Sequence, residues 1–292
     1  MKRLFQCRID SLMLLKRKLT MIGQSTSDAP PAFGEIPVKI TSAPNGARRG
    51  SKDHPALPVT IVELVQTAKA CFNAGADEIH LHVRDDQGVH TLDPGRYREA
   101  ISAIHESVPE MAIQVTTEAA GLFEVPDQLH TLRVLVPKAA SISVREIARD
   151  THLAHAVYGL TREAGIHVQH ILYDAQDAAQ LSVWQKAGLI DRDGCDVLLV
   201  LGQYAPPRVA QVEELPPFLK AALPLCESWM ICAFGHTEHE VAKSAMALGG
   251  NIRIGFENNF YRPDGELALD NAENIFRAVE AAKSLARPLF RR

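Results

Sequence analysis

The 292-residue chain lacks the features that mark secreted, membrane-spanning and nucleic-acid-binding proteins. Its five cysteines are odd in number and never form a C-x-x-C pair, which argues against a disulfide framework or a cysteine zinc site. No apolar run approaches the roughly 18 residues that span a bilayer. A formal net charge of -4 provides no basic surface for nucleic acid or an anionic membrane. These absences favour a cytoplasmic protein that acts on small molecules, without a membrane or nucleic-acid partner.

The first 34 residues differ in composition from the rest of the chain. They begin with a segment rich in Arg and Lys, and a polar stretch that contains proline follows. Charged residues interrupt the apolar positions, so the segment is a poor secretory signal peptide, and an organelle transit segment is the alternative. We predict a flexible leader over residues 1–34 and one folded catalytic domain over residues 35–292.

From Pro37 onward, short apolar, β-branched runs alternate with stretches of helical periodicity. Eight such runs occur, at residues 38–43, 78–83, 112–117, 140–144, 167–173, 196–202, 229–235 and 251–256. Their spacing leaves room for helices between them, which is the pattern of βα units around a parallel sheet. A doubly wound open sheet usually has a glycine-rich phosphate turn after its first strand, and this chain has none there. The sequence therefore predicts an α/β protein with a single (β/α)8 TIM barrel.

The second predicted strand contains the sequence His80-Leu81-His82. Alternate side chains of a strand point to the same face, so these two imidazoles converge. Imidazole is a good zinc ligand, and a catalytic zinc usually has three protein ligands. Glu257 is a suitable third ligand, because it follows the eighth strand, which neighbours the first in a closed barrel. A pair of hydrogen-bonded core histidines is the alternative interpretation.

Other polar residues lie at the strand ends, where TIM-barrel enzymes place their active sites. A charge such as Arg253, within the eighth strand, is unfavourable unless it is bound to an anion or paired with Asp85 or Glu257. Further candidates on the third to fifth strands and in the segment after the seventh are Thr116, Thr117, Glu118, Ser141, Ser143, His170, Tyr173, Asp174, His236 and His239.

Three separated motifs, in consistent order and spacing, point to one enzyme family. They are KITSAPNGARRGSKDHPALPVT, AGADEIHLHVRDDQGVHTLDP and GGNIRIGFENNFY. From about Val38 to Pro288, the chain resembles the β-keto acid cleavage enzymes. The resemblance implies a homotetrameric TIM barrel that transfers an acyl group. In this reaction a 3-keto acid and acetyl-CoA give acetoacetate and the CoA thioester of the shortened acyl chain.

The resemblance also implies roles for individual residues. It implies a zinc ion bound by His80, His82 and Glu257. Arg253 matches an arginine of the catalytic machinery. The implied substrate contacts are Thr116, Ser141 and, through its backbone, Ala119, and Ser143 shares the face of Ser141.

At two positions this chain differs from the family members that cleave 3-keto-5-aminohexanoate. These differences leave open which residue acts as the general base. Asn258 occupies the catalytic position where those enzymes have an aspartate directly after the zinc glutamate, and an amide cannot accept a proton as a carboxylate does. Glu118 stands where they have glycine. We hypothesise that Glu118 supplies the missing carboxylate or tunes Arg253.

Arg48 is a further departure, because it aligns with the acidic residue that meets the substrate amine in those enzymes. Arginine repels a cationic substrate and binds carboxylates through a planar bidentate fork. We therefore predict a substrate with a second anionic group, of the 3-oxoadipate or 3-oxoglutarate type. The alternative is that Arg48 points into solvent.

Two other functions remain open from the sequence. A zinc-dependent TIM-barrel hydrolase of a small metabolite also uses H-x-H on a strand, but such enzymes generally need further metal-binding histidines or a metal-bridging lysine. Only His170 and His236 keep that option open. A catalytically inactive barrel that binds a metabolite or a partner is the third possibility.

Overall fold

The computed structural model of the protein describes residues 36–290. Eight parallel strands in that range close into a barrel, which confirms the predicted TIM barrel. The leader predicted over residues 1–34 lies outside the described residues. Within residues 36–290, the structure contains no helix that is both long and apolar enough to cross a membrane.

Each barrel strand coincides with one of the apolar runs in the sequence. The strands are β1 (Ile40–Ser42), β2 (Glu78–Leu81), β3 (Ala112–Thr116), β4 (Ala139–Ser143), β5 (His167–Leu172), β6 (Asp196–Leu201), β7 (Ser228–Ala233) and β8 (Asn251–Ile254). The barrel closes at β1, where Thr41 pairs with Glu78 of β2 on one side and with Arg253 of β8 on the other. Because all strands are parallel, their C-terminal ends form a single rim.

Helices connect the strands on the outside of the barrel. They are α1 (Ile61–Ala74), α2 (Pro94–Ser107), α3 (Val125–Leu135), α4 (Thr151–Glu163), α5 (Ala175–Lys186), α6 (Leu215–Ala222), α7 (Glu238–Ala247) and α8 (Asn271–Ser284). Side chains that accept backbone N–H bonds start several of them: Thr60 caps α1, and aspartates cap α2, α4, α5 and α8. A short hairpin of Val83–Arg84 with His90–Thr91 follows β2.

The inside of the barrel has an apolar side and a polar side. The main apolar core combines strand residues such as Ile79 with helix residues such as Leu64. A separate apolar cluster belongs to β5, β6 and β7 and consists of Ile171, Leu198, Val200, Met230, Cys232 and Phe234. Buried polar side chains on the other strands include Thr41, His80, Gln114 and Arg253. Gln169 of β5 and Asp196 of β6 are buried polar residues as well, so the polar groups reach across the barrel beneath this apolar cluster.

Candidate active site

A cavity of about 290 Å³ opens at the C-terminal rim of the barrel. Its polar residues include Arg48, His80, Thr116, Glu118, Arg253 and Glu257. Its apolar residues include Ile171 and Val200 of the apolar cluster and Phe234 just after β7. A ligand in this cavity would therefore contact charged groups on one side and aliphatic or aromatic groups on the other.

His80, His82 and Glu257 converge at this rim, and all three side chains are buried. His80 Nε2 lies 3.1 Å from His82 Nε2. The Glu257 carboxylate lies 3.8 Å from His80 Nε2 and 3.6 Å from His82 Nε2. Within residues 36–290, no other group of three His, Cys, Asp or Glu side chains is arranged to share a metal ion.

Two glycines allow the loops that surround this group to come close together. A Cβ at Gly255 would lie 2.4 Å from the carbonyl oxygen of Ala43, and the φ of Gly255 is 149°, which L-residues rarely adopt. A Cβ at Gly46 would lie 2.7 Å from Glu257 Cγ. The loop after β8 can therefore place Glu257 beside the loop after β1 and next to the two histidines.

The donor set of these three residues fits a zinc ion. Two imidazoles and one carboxylate are a common catalytic zinc set, and atoms bound tetrahedrally at about 2.0–2.1 Å lie roughly 3.3 Å apart. Glu257 Oε2 is buried without a hydrogen-bond partner in the described chain. Burial lowers the pKa of His80 well below its usual value, so the imidazole is neutral and offers a lone pair. Burial would raise the pKa of Glu257, but the Arg253 guanidinium beside it holds that pKa well below its usual value.

Arg253 is buried beside Glu257 with much of its hydrogen-bonding capacity unused. Its Nη2 lies 3.7 Å from Glu257 Oε1 and 3.7 Å from Cys232 Sγ. Its Nε and Nη1 have no partner among residues 36–290. Buried donors are almost always satisfied, and a guanidinium is well suited to a carboxylate. These donors can therefore bind an anionic group in the cavity, whereas Asp85, the other proposed partner, accepts hydrogen bonds from the hairpin backbone.

Glu118 and Arg48 face each other at the cavity. Glu118 Oε1 lies 4.0 Å from Arg48 Nη2, and Glu118 Oε2 lies 3.9 Å from His82 Nε2. Burial raises the pKa of Glu118, which makes it a better proton acceptor. Arg48 lines the cavity with a side chain that is 47% exposed, so it does not simply point into bulk solvent. The adjacent Arg49 donates to the carbonyl of Phe256 instead.

The predicted hydroxyl contacts differ in how they are placed. Thr116 and Ser143 line the cavity. Thr116 Oγ1 accepts the N–H of Glu118 at 3.0 Å, which leaves its own proton available for a ligand. The buried hydroxyls of Ser141 and Ser143 have no partner in the described chain, but Ser141 is not part of the cavity wall.

The structure does not bring Ala119 or Asn258 into the cavity wall. The Ala119 N–H donates to the Glu146 carboxylate at 3.0 Å, and its carbonyl accepts from Leu122, so both backbone groups are engaged. Asn258 is fully buried, donates to Glu238 at 3.0 Å and accepts from Cys232 at 3.2 Å. These hydrogen bonds hold both predicted site residues within the protein interior.

The extra histidines that a zinc hydrolase would need also lie elsewhere. His170 packs against Tyr158, with ring centroids 5.6 Å apart, in a separate cleft. His236 is exposed, and His239 bonds Asn274 at 3.2 Å near the start of α7. None of them joins the group formed by His80, His82 and Glu257 within residues 36–290.

Two residues that line the cavity, Arg145 and Tyr204, were not among the site residues predicted from the sequence. Arg145, in the short helix Val144–Ile147 after β4, lies over the ring of Tyr173 and pairs with Asp174 at 2.6 Å and Asp177 at 2.7 Å. Tyr204, in the loop after β6, donates its hydroxyl to the Glu257 carbonyl. The sequence signal for both residues was a charged or aromatic side chain just beyond a predicted strand. Such residues are common on loops, so this signal alone does not identify a site residue.

The model of the beta-keto acid cleavage enzyme family matches residues 37–291 of this chain. The chain belongs to the β-keto acid cleavage enzyme family. The resemblance of the three motifs is thereby confirmed, and the protein is an enzyme that cleaves β-keto acids.

Two curated relatives agree with this β-keto acid cleavage assignment. The chain is 32% identical over 257 residues to the 3-keto-5-aminohexanoate cleavage enzyme of Fusobacterium nucleatum, covering 86% of this chain and 93% of the relative. It is 25% identical over 263 residues to the 3-oxoadipate:acetyl-CoA acetyltransferase of Cupriavidus necator, covering 87% of this chain and 91% of the relative.

Solved structures support the barrel. ObcA in a binary complex with oxaloacetate matches with a TM-score of 0.66 and 14% identity over 81% of this chain. The match spans 65% of the ObcA chain. At this identity, the likeness to ObcA shows a shared fold.

Proposed function

We propose that this β-keto acid cleavage enzyme exchanges acyl groups between acetyl-CoA and a 3-keto acid that carries a second anionic group. The products would be acetoacetate and the CoA thioester of the shortened acid. The observation that carries the proposal is the cavity at the rim, where Arg48 and Arg253 lie beside the zinc-type set that His80 and Glu257 form with adjacent His82. The relative named 3-oxoadipate:acetyl-CoA acetyltransferase supports this choice of co-substrate and substrate.

A zinc ion bound by His80, His82 and Glu257 would polarise the 3-keto oxygen and stabilise negative charge that develops on it. The unused Nε and Nη1 donors of Arg253 are suited to hold the substrate carboxylate, and the Ser143 hydroxyl is an additional donor. These contacts would place C2 of the keto acid against Glu118.

In the proposed reaction, Glu118 accepts a proton from C2 of the keto acid. The electron pair left on C2 forms a bond to the acetyl carbonyl carbon, and CoA leaves as the thiolate. That thiolate then attacks the original 3-keto carbon, and the bond between C2 and C3 breaks. The proton held by Glu118 can return to C2, which completes acetoacetate and leaves the acyl-CoA.

The charge balance of the cavity supports a substrate with two negative groups. Three arginines line it, but Arg145 is already neutralised by Asp174 and Asp177. Arg253 is paired with Glu257 at 3.7 Å and has unused donors. Arg48 has Glu118 at 4.0 Å and is free to reach a second carboxylate. In this arrangement Arg253 binds one end of the substrate and Arg48 binds the other.

Reversing the charge at position 48 tests this substrate assignment. We expect Arg48→Glu to lower kcat/KM for 3-oxoadipate by roughly 100-fold, because a charge-assisted hydrogen bond contributes about 1.5–3 kcal/mol. The loss for 3-oxohexanoate, which carries only one carboxylate, should be at least about 10-fold smaller, because that substrate reports only the effect of the new charge on nearby Glu118. Initial rates of acetoacetate formation with acetyl-CoA measure both values.

Lys52→Glu is the matched control, because Lys52 is an exposed cation on the same loop. It should leave both substrates within about 2-fold of the wild-type rate, as exposed charges contribute little. Equal losses for the dicarboxylic and the monocarboxylic substrate in Arg48→Glu would mean that Arg48 acts through Glu118 or the loop and does not recognise the second carboxylate.

A further inference from the structure

The two ring nitrogens of His80 have different partners. Its Nε2 faces His82 and Glu257, whereas its Nδ1 lies 2.8 Å from Gln114 Oε1. A neutral imidazole carries one proton, and the hydrogen bond at one nitrogen decides whether the other keeps its lone pair. To bind a metal through Nε2, His80 must carry its proton on Nδ1.

Gln114 alone does not determine the position of that proton. A glutamine amide can present its oxygen, which accepts the proton of Nδ1, or its nitrogen, which donates to Nδ1. The second orientation would favour the tautomer with the proton on Nε2, where the metal has to bind. Something must therefore hold the Gln114 oxygen toward His80.

Two further hydrogen bonds supply that constraint. Gln114 Nε2 donates to Gln169 Oε1 at 3.3 Å, and Gln169 Nε2 donates to Asp196 Oδ2 at 3.1 Å. An ionised carboxylate only accepts hydrogen bonds, so Gln169 must turn its nitrogen to Asp196 and its oxygen to Gln114. Gln114 must then turn its nitrogen to Gln169 and its oxygen to His80. The direction of every bond in this relay follows from the carboxylate at its end.

The fold places the relay inside the barrel, away from solvent. Asp196 opens β6 beside Gln169 of β5, and Gln114 of β3 pairs with His80 of β2. All four side chains are buried. Asp196 Oδ2 also lies 3.4 Å from His167 Nε2, while Asp196 Oδ1 has no partner in residues 36–290. Burying a carboxylate charge destabilises the folded state unless hydrogen bonds or ion pairs offset the cost. The position of Asp196 at the end of a chain of oriented amides indicates that it serves to orient them.

We infer that Asp196 is a positioning residue for the metal site, acting through Gln169 and Gln114 to keep the His80 proton on Nδ1 and its Nε2 lone pair facing the metal. The inference rests on the zinc site of the proposed function. In this inference, the Asp196 carboxylate at the N-terminal end of the barrel strands orients a metal ligand at their C-terminal rim.

The test interrupts the relay in the middle and then restores its effect at the end. Gln169→Met removes both hydrogen bonds and keeps a similar side-chain length. We expect its zinc affinity, measured by competition with a chelator, to fall about 10- to 100-fold, as for other losses of an outer-shell partner. The added substitution Gln114→Glu should return the affinity to within about 3-fold of wild type, because a carboxylate accepts from Nδ1 in either orientation.

A loss of packing at Gln169 would not be rescued by Gln114→Glu, so the rescue distinguishes orientation from structure. Thr41→Val is the matched control, since it removes one buried hydrogen bond to Glu78 inside the barrel without touching the relay. It should keep wild-type zinc affinity. Asp196→Leu is a second variant in case Gln169→Met folds poorly; it removes the acceptor that fixes the direction of the relay, so zinc affinity should fall, and Gln114→Glu should again restore it.

A second readout does not depend on zinc. Nitrogen-15 NMR of the metal-free protein reports the protonated ring nitrogen of His80, assigned with a His80→Gln variant. We expect Nδ1–H in the wild type and a share of Nε2–H in Gln169→Met. An unchanged tautomer together with unchanged affinity in Gln169→Met overturns the inference. A wild type that shows the Nδ1–H tautomer but binds no zinc would refute the proposed metal site and leave the relay standing.

Discussion

Glu257→Gln is expected to remove zinc from the enzyme and to lower turnover by at least about 10³-fold. Glutamine keeps the shape of the side chain but loses the negative charge that a dication requires beside two imidazole ligands. Electrophilic stabilisation by a metal contributes several kcal/mol to the transition state, and each 1.4 kcal/mol is about tenfold in rate. The buried position of Glu257 prevents water from easily replacing its carboxylate.

Metal content after dialysis against a fixed free-zinc concentration, together with acetoacetate formation, measures both effects. Glu78→Gln is the matched control, because Glu78 is also a buried carboxylate but pairs with Lys39 at 2.8 Å at the other end of the barrel. It should retain zinc and turnover. If Glu257→Gln keeps stoichiometric zinc and normal turnover, the metal assignment is wrong.

Glu118→Gln is expected to lower kcat by about 10²- to 10⁴-fold, the usual contribution of a general base. The amide has the same shape but cannot accept the C2 proton. Substrate affinity should change little, because Arg48 and Arg253 supply the anion contacts in the proposed complex. NMR can follow the exchange of the C2 hydrogens of the keto acid with heavy water. The exchange rate, after subtraction of the uncatalysed rate, measures the proton transfer that Glu118 performs.

Glu124→Gln provides the comparison for this variant. Glu124 lies close to Glu118 along the chain, but its side chain is 74% exposed and pairs with Arg149 at the surface. It should exchange C2 hydrogens and turn over as the wild type does. Normal turnover in Glu118→Gln, with an unchanged fold and zinc content, would refute the role of Glu118 as the base.

The fold could be predicted because its signals are local. Each βα unit can be recognised within about 30 residues of sequence, as a short apolar run followed by a stretch of helical periodicity. The convergence of His80 and His82 follows from strand alternation alone. The nearness of Glu257 requires only that the barrel close, which β1 achieves by pairing with both β2 and β8.

The parts that could not be predicted depend on contacts between elements distant in sequence. Asn258 is held inside by Glu238, and the Ala119 N–H is held by Glu146, so neither is free for a ligand. No local pattern marks those two carboxylates as their partners. The relay from Asp196 to His80 likewise depends on register across several strands, which a single sequence does not reveal.

Isotope labelling is the most direct test of whether this enzyme exchanges acyl groups. The zinc-loaded enzyme is given 3-oxoadipate and acetyl-CoA with carbon-13 in both acetyl carbons. If acyl groups are exchanged, we expect acetoacetate labelled in its methyl and ketone carbons, with an equal amount of unlabelled succinyl-CoA. Unconsumed acetyl-CoA, or cleavage of the keto acid without label in acetoacetate, would contradict it.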